Sequence, residues 1–185
     1  MTPVLFEGSP QFLQGTLLDE FMDQQHGESS PKEIELQRLS SSIHQAFSAF
    51  DNEGALLVAE AAIDAFMTPE ERAGILDHVA VLARETVRRG DIVEKIDQIT
   101  LAICLPGSGR IGMTRVADAL RQRVWSTLPM ISSSEIATTV TIGAVHTTEA
   151  HLLDPNELLL AARVNLDSAR AAGGNRTNWS DWNQV

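Results

Sequence analysis

Thr138–Val145 reads TTVTIGAV and Glu157–Arg176 reads ELLLAARVNLDSARAAGGNR, and these two stretches decide what kind of fold the chain adopts. The first is crowded with β-branched residues, which sit well on a pleated surface, so Ala137–Val145 reads as a strand. The second repeats apolar residues at helical steps behind Asp154-Pro155, an acceptor that caps a helix followed by a residue suited to its first turn. That helix runs to Ala172 and stops at Gly173-Gly174-Asn175, residue types that take the left-handed turn ending many helices. A short edge strand is expected over Arg176–Trp179.

Upstream the same grammar recurs. After a turn at Asp51-Asn52-Glu53-Gly54, the run ALLVAEAA reads as a buried strand. Thr68-Pro69-Glu70-Glu71 starts a helix carrying Ile75, Leu76, Val79, Leu82 and Val87, which ends near Arg89-Gly90. Two short strands around Ile92–Ile96 and Ile99–Leu105 are close enough to pair as a hairpin. Pro106-Gly107-Ser108-Gly109 breaks the chain before a helix from about Gly112 to Trp125. The order strand, helix, hairpin, helix, strand, helix predicts an α+β fold, an α/β sandwich whose central sheet has helices on one or both faces. This domain is assigned to residues 54–179, with a helical segment at 1–53 before it and a tail at 180–185 after it.

Within the first segment, Phe12, Leu13, Leu17, Phe21 and Met22 fall roughly on one helical face, and His26–Lys32 is a polar break. A second helix follows Pro31, with Leu36, Leu39, Ile43, Phe47 and Phe50 recurring at three- and four-residue steps. That stripe either seats on the domain or zips to a second copy of the chain.

The 185 residues, 43% of them hydrophobic, suit one ordinary globular domain. A single cysteine, Cys104, excludes an internal disulfide and fits a reducing compartment. MTPVLFEGSP carries no secretory pattern and no run is long enough for a membrane span, so a cytoplasmic protein without membrane insertion is expected. A net charge of −11 with no basic stripe argues against nucleic acid as a partner. The basic residues are nearly all arginine, which suits bidentate recognition of guanine or phosphate; a GC-rich genome gives the same bias.

This order and several strings resemble the GGDEF domain of bacterial diguanylate cyclases. TTVTIGAV is similar to the family's Thr-Val-Ser-Ile-Gly-Val strand, and the helix ending in Gly-Gly-Asn to its closing Ala-Lys helix. VRRGDIVEKIDQITLAICLP, Val87–Pro106, lies without a gap on the family's Arg-x-x-Asp, strand, GGDEF turn and strand ending in Leu-Pro. The resemblance covers about residues 54 to 177 and implies a nucleotide-cyclase-like central sheet.

The departures decide the implied activity. The five signature positions are Asp97, Gln98, Ile99, Thr100 and Leu101. In cyclases the two glycines let the backbone approach guanosine triphosphate, and the acids bind magnesium and help activate the 3′-hydroxyl. Here both glycines and both acids are gone. The family's first metal-binding Asp corresponds to Glu60 or Asp64, and its guanine-reading series is replaced by the shorter AFMTPEERAGILD. The closing Lys is Arg170, the usual Arg between the last Gly and Asn is Gly174, and the opening Asp-x-Leu-Thr motif is missing. The resemblance therefore implies a degenerate domain with no catalytic residues, no bound metal and no cofactor.

What survives is Arg88-Arg89-Gly90-Asp91, where the family places its inhibitory cyclic di-GMP site. A guanidinium fork donates to guanine O6 and N7, and a carboxylate accepts from N1–H and the amino group. The ligand-binding residues so implied are Arg88, Asp91 and, from the next helix, Arg115, with Arg121 in reserve. Arg115-Val-Ala-Asp118 repeats the spacing inside a helix, and Ala119 stands near the expected arginine. The plainer alternative is a solvent-facing helix end where Arg favours the dipole and Asp starts a turn. Two functions are thus expected: a non-catalytic signalling domain that receives cyclic di-GMP, or a ligand-free module that contacts a protein partner or another copy of itself.

Weaker signals point elsewhere. Gly107-Ser-Gly109-Arg-Ile-Gly112 matches a dinucleotide fingerprint, but no acid follows a later parallel strand, so a tight turn is expected. His26, His44, His78, His146 and His151 have no metal-ligand spacing. Trp125, Trp179 and Trp182 read as core and tail anchors; exposure of the last two would mark a partner surface.

Overall fold

The computed structural model describes residues 31–48, 53–127, 129–131, 134–148 and 154–182. Glu35–Val185 forms one compact unit, which holds every element below except the first four residues of the opening helix. The helix expected over residues 10–25 lies outside the described residues.

The elements are α1 (Pro31–Ser48), β1 (Gly54–Ala61), α2 (Pro69–Thr86), β2 (Ile92–Lys95), β3 (Thr100–Pro106), α3 (Arg110–Ser126), β4 (Met130–Ile131), β5 (Ser134–Glu135), β6 (Val140–Thr147), α4 (Pro155–Ala171) and β7 (Thr177–Asp181). A five-stranded sheet runs β2-β3-β1-β6-β7, antiparallel except for the parallel β6–β7 pair. It is the α+β sandwich the resemblance implies. β6 sits slightly later than expected, and β4 with β5 forms a small separate hairpin that sequence pattern did not reveal. The edge strand extends beyond Trp179 to Asp181.

β1 is central and buried on both faces, which is why its sequence is a continuous apolar run rather than an alternating one. Alternate residues divide between two cores. Ala55, Leu57 and Ala59 pack with Ile75 and Val79 of α2 and Met113 and Leu120 of α3. Leu56 and Val58 pack with Leu39, Ile43 and Phe47 of α1 and Leu158 and Leu166 of α4. Leu39, Ile43 and Phe47 of the α1 stripe therefore seat on the domain, the first of the two alternatives its sequence leaves, while the side chains of Leu36 and Phe50 lie outside the described residues.

Local chemistry sets the helix ends. Thr68 and Glu71 form a reciprocal capping box at α2, and Asp154 accepts from the Asn156 backbone at α4. At Gly143 in β6, helix α4 lies directly on the strand. A Cβ there would stand 2.1 Å from both the Ala162 oxygen and the Leu166 nitrogen, so only glycine fits this crossing. Buried Asn165 then ties α4 to both strands, donating to the Ala144 carbonyl at 2.7 Å and to the Ser180 hydroxyl at 2.9 Å.

Candidate functional site

Two clusters sit at opposite ends of the sheet. At one end β2 and β3 are joined by four residues, Ile96-Asp97-Gln98-Ile99. The loop closes with the Ile96 N–H donating to the Thr100 carbonyl at 2.9 Å and the Ile99 N–H to the Asp97 carboxylate at 2.9 Å. Thr100 and Leu101 are already the first residues of β3, and both are buried. Of the five positions matched to the catalytic signature, only Asp97 is acidic, and its carboxylate caps its own turn.

The structure resolves which acid of β1 stands beside this loop. Glu60 is opposite Thr100 in the β1–β3 ladder, while Asp64 lies past the strand and accepts from the Phe66 backbone at 2.9 Å. Glu60 is already ion-paired. Arg170, near the end of α4, donates from Nε to Glu60 Oε1 at 2.7 Å and from Nη2 to Oε2. A further Arg170 nitrogen contacts Asp167 at 2.5 Å. The hydrogen bonds to Glu60 raise the guanidinium pKa further still, so it stays charged.

The magnesium that a cyclase of this kind would use finds no fitting donor set here. Hard divalent ions need several oxygen ligands, and the positions offered are Ile99, Thr100 and a carboxylate already gripped by a guanidinium. Among the described residues, no group of three or more His, Cys, Asp or Glu could hold a metal ion.

At the other end, Arg88 and Asp91 form the turn between α2 and β2. The Asp91 carboxylate accepts from the Arg88 backbone N–H at 3.0 Å and from its Nε at 3.3 Å, while the Asp91 N–H donates to the Arg88 carbonyl at 3.1 Å. Gly90 takes φ +103°, a conformation that a side chain would strain. Arg88 Nη2 reaches the Pro106 carbonyl at the end of β3. The Arg88 side chain is 57% exposed and that of Asp91 only 3%. The arginine thus faces outward and the carboxylate inward, where it organises the turn.

Arg84, Arg88 and Arg89 line a groove of about 260 Å³ with Val87, Gly90, Asp91 and Val93. Arg115 is not among the lining residues. Arg121 is placed far from this turn, donating to the Asn175 carbonyl at 2.7 Å.

Sequence reasoning missed a third cluster. Buried His146, at the end of β6, has Nδ1 3.1 Å from Asp181 and Nε2 3.1 Å from Glu53. Arg110 Nε donates to the same Asp181 oxygen at 2.7 Å. Burial pushes the Asp181 carboxyl up, but its bonds to Arg110 and His146 outweigh this and hold it below the ordinary range. The four residues lie in a turn, two strand ends and a helix start, so no spacing rule links them. The glycine-rich stretch after β3 is a turn, as expected: Ser108 N–H donates to the Leu105 carbonyl at 3.3 Å, and Gly109 caps α3.

Cys104 is buried in β3, and desolvation with the nearby Asp91 and Glu94 charges pushes its thiol up to about 12. In native protein it is expected to resist iodoacetamide at pH 8 and to react fully in guanidinium chloride. Rapid native labelling, followed by mass spectrometry, would contradict that placement.

The tryptophans need a correction. Trp182 packs against the α1–α4 core, but Trp125 is 65% exposed and Trp179 40%, because neither side chain points between sheet and helix.

The family model for the GGDEF domain of diguanylate cyclases matches residues 72–176. The match begins inside α2 and runs to the turn that precedes β7. No curated protein matches the chain. Solved structures share its fold at low identity. The diguanylate cyclase SiaD of Pseudomonas aeruginosa, solved with its activator SiaC, is 14% identical with TM-score 0.64 over 88% of this chain and 66% of that one. The GGDEF domain of DgcB from Caulobacter crescentus, solved with cyclic di-GMP, is 15% identical with TM-score 0.62 over 77% of this chain and 86% of that one. The active GGEEF domain of a Vibrio cholerae diguanylate cyclase is 14% identical with TM-score 0.66 over 80% of this chain and 97% of that one. The family match spans more than half the sequence and agrees with the sheet order, the hairpin and the closing helix: the chain belongs to the GGDEF domain family of the diguanylate cyclase type.

Proposed function

We propose that this domain is a non-catalytic regulatory member of its family. The observation that carries the reading is the Glu60–Arg170 pair at the hairpin end. A carboxylate placed to bind magnesium instead holds a fixed guanidinium, and the one acid of the neighbouring loop, Asp97, caps its own turn. Phosphoryl transfer of this kind depends on metal charge and on close backbone approach to the triphosphate. Asp97-Gln98 in place of two glycines removes the second condition. Incubation with guanosine triphosphate and Mg²⁺ or Mn²⁺ is expected to give no cyclic di-GMP above a protein-free control. Product that scales with protein and survives repurification would overturn the reading.

The groove at Arg88 favours a second, compatible reading, in which the domain receives cyclic di-GMP and signals through a protein partner or a second copy. Three arginines converge on one groove in a chain whose net charge is −11, an arrangement suited to an anionic ligand. At about 260 Å³ the groove lies below the roughly 300–1,000 Å³ of enclosed ligand sites, so a dinucleotide would rest across it. The Arg88 guanidinium would meet guanine or phosphate, and Asp91 would hold that arginine in place. Arg115 would add to the site only by a rearrangement. Arg88→Ala is expected to weaken cyclic di-GMP binding by about 1–3 kcal/mol, and Arg88→Lys, which keeps the charge but loses the fork, by somewhat less. Wild-type protein that gives no heat at high micromolar cyclic di-GMP would leave the ligand-free interaction module, with Arg88 and Asp91 serving only the turn.

A further inference from the structure

A groove of about 360 Å³ lies along the C-terminal half of α3, lined by Asp118, Arg121, Gln122, Trp125 and Asn175. It is remote from the Arg88 turn. Arg88 bonds to Pro106 at the end of β3, whereas Asn175 precedes β7, which begins beside Ile142 near the start of β6.

Trp125 leaves most of its indole in water, where a large apolar ring is costly to keep. One turn earlier, Arg121 is anchored at both ends of its fork, to the Asp118 carboxylate at 3.3 Å and the Asn175 carbonyl at 2.7 Å. Its Nε is buried with no hydrogen-bond partner, a shortfall that structures seldom leave in a purely structural arginine. Asn175 is held at φ +44°, uncommon for a residue other than glycine. The Asp118 side chain is 71% exposed and uses one oxygen on Arg121, so the other can accept. Gln122 and Asn175 bring carboxamides that can donate beside it.

A flat indole beside a carboxylate acceptor and carboxamide donors complements a planar heterocycle with adjacent N–H donors and a neighbouring carbonyl. We propose that this groove binds a guanine-type base, stacked on Trp125, with its ring N–H and amino group donating to Asp118 and its carbonyl accepting from a carboxamide. Stacking on exposed aromatic rings and hydrogen bonds along one edge are the usual means of reading an unpaired base. Adenine presents a ring lone pair to the carboxylate and is disfavoured.

Guanosine tests this without phosphates, and Arg88→Ala separates this groove from the Arg88 turn, where a guanine could also rest. In a titration of the full chain followed by tryptophan fluorescence and calorimetry, guanosine is expected to saturate and adenosine not. Trp125→Ala should weaken guanosine at least tenfold, and Asp118→Asn about tenfold. Both side chains are exposed, so thermal unfolding should be little changed. The Trp125 fluorescence change with guanosine should persist in Arg88→Ala. No saturation by guanosine at millimolar concentration, equal affinity for adenosine, or binding lost with Arg88→Ala but kept in Trp125→Ala would each overturn the proposal. None of these outcomes bears on catalytic silence, which is read from product formation alone.

Discussion

Replacing Gly143 by alanine is expected to destabilise the domain by about 3 kcal/mol or more, at the top of the range for overpacked cores. The new Cβ would sit 2.1 Å from two backbone atoms of α4 and 2.6 Å from the Leu166 Cα, so no rotamer change relieves it. Helix α4 would have to lift from β6, and that would separate Asn165 from the Ala144 carbonyl and Ser180. The lift would also disturb the placement of Arg170 on Glu60, since both ends of the contact depend on how α4 lies on the sheet. Urea unfolding should show the midpoint falling with the slope largely unchanged. A variant within about 1 kcal/mol of wild type would mean that α4 crosses the strand less closely than described. Gly90→Ala makes a useful contrast, because there the cost arises from a φ of +103° and not from a clash. Its loss should stay near 1 kcal/mol.

Gly143 also shows what the sequence made legible. TTVTIGAV announced a strand through its β-branched residues, and its glycine was visible as a family feature, but the helix lying on it was not. The helices showed through their apolar faces at helical steps, and β1, β3 and β6 through continuous apolar or β-branched runs. Periodicity missed the β4–β5 hairpin, whose two-residue strands are too short to show a period. The hairpin loop at Asp97–Ile99 was legible from the family resemblance, which also implies the loss of the signature's glycines and acids. Glu60 and Arg170 were each visible as candidates, but their pairing joins positions 110 residues apart and follows from how α4 returns along the sheet. The orientation of Asp91 was hidden for a different reason. Arg-x-x-Asp spacing is the same whether the carboxylate faces a ligand or folds back on the arginine's backbone, and only the positive φ of Gly90 and the burial beneath the turn decide it. Trp125 was misread because a large aromatic is usually core, and nothing in its local sequence reveals that its side of α3 faces away from the sheet.

Phe47→Ala is expected to cost about 3–5 kcal/mol, the range for emptying a buried phenylalanine site, even though the residue lies outside the region matched by the family. The ring rests on Gly54, the first residue of β1, so closely that a Cβ there would stand 2.1 Å from its Cε1. Helix and strand are therefore fitted to each other through one aromatic ring and one missing methyl. A double-mutant cycle makes the fit measurable. Gly54→Ala alone should be destabilising, since the ring has no room to give within the core. In the Phe47→Ala background, the same methyl would enter the vacated space and cost less or even stabilise, giving a coupling of 1 kcal/mol or more. Strictly additive losses would show that α1 is not seated on β1 in this way. The outcome matters for the proposed regulatory role as well as for folding. β1 carries Gly54 at one end and Glu60 at the other, so a helix locked onto its start has a rigid route to the hairpin end of the sheet. If the coupling is found, any movement of α1 must be felt along β1 rather than absorbed by a loose joint.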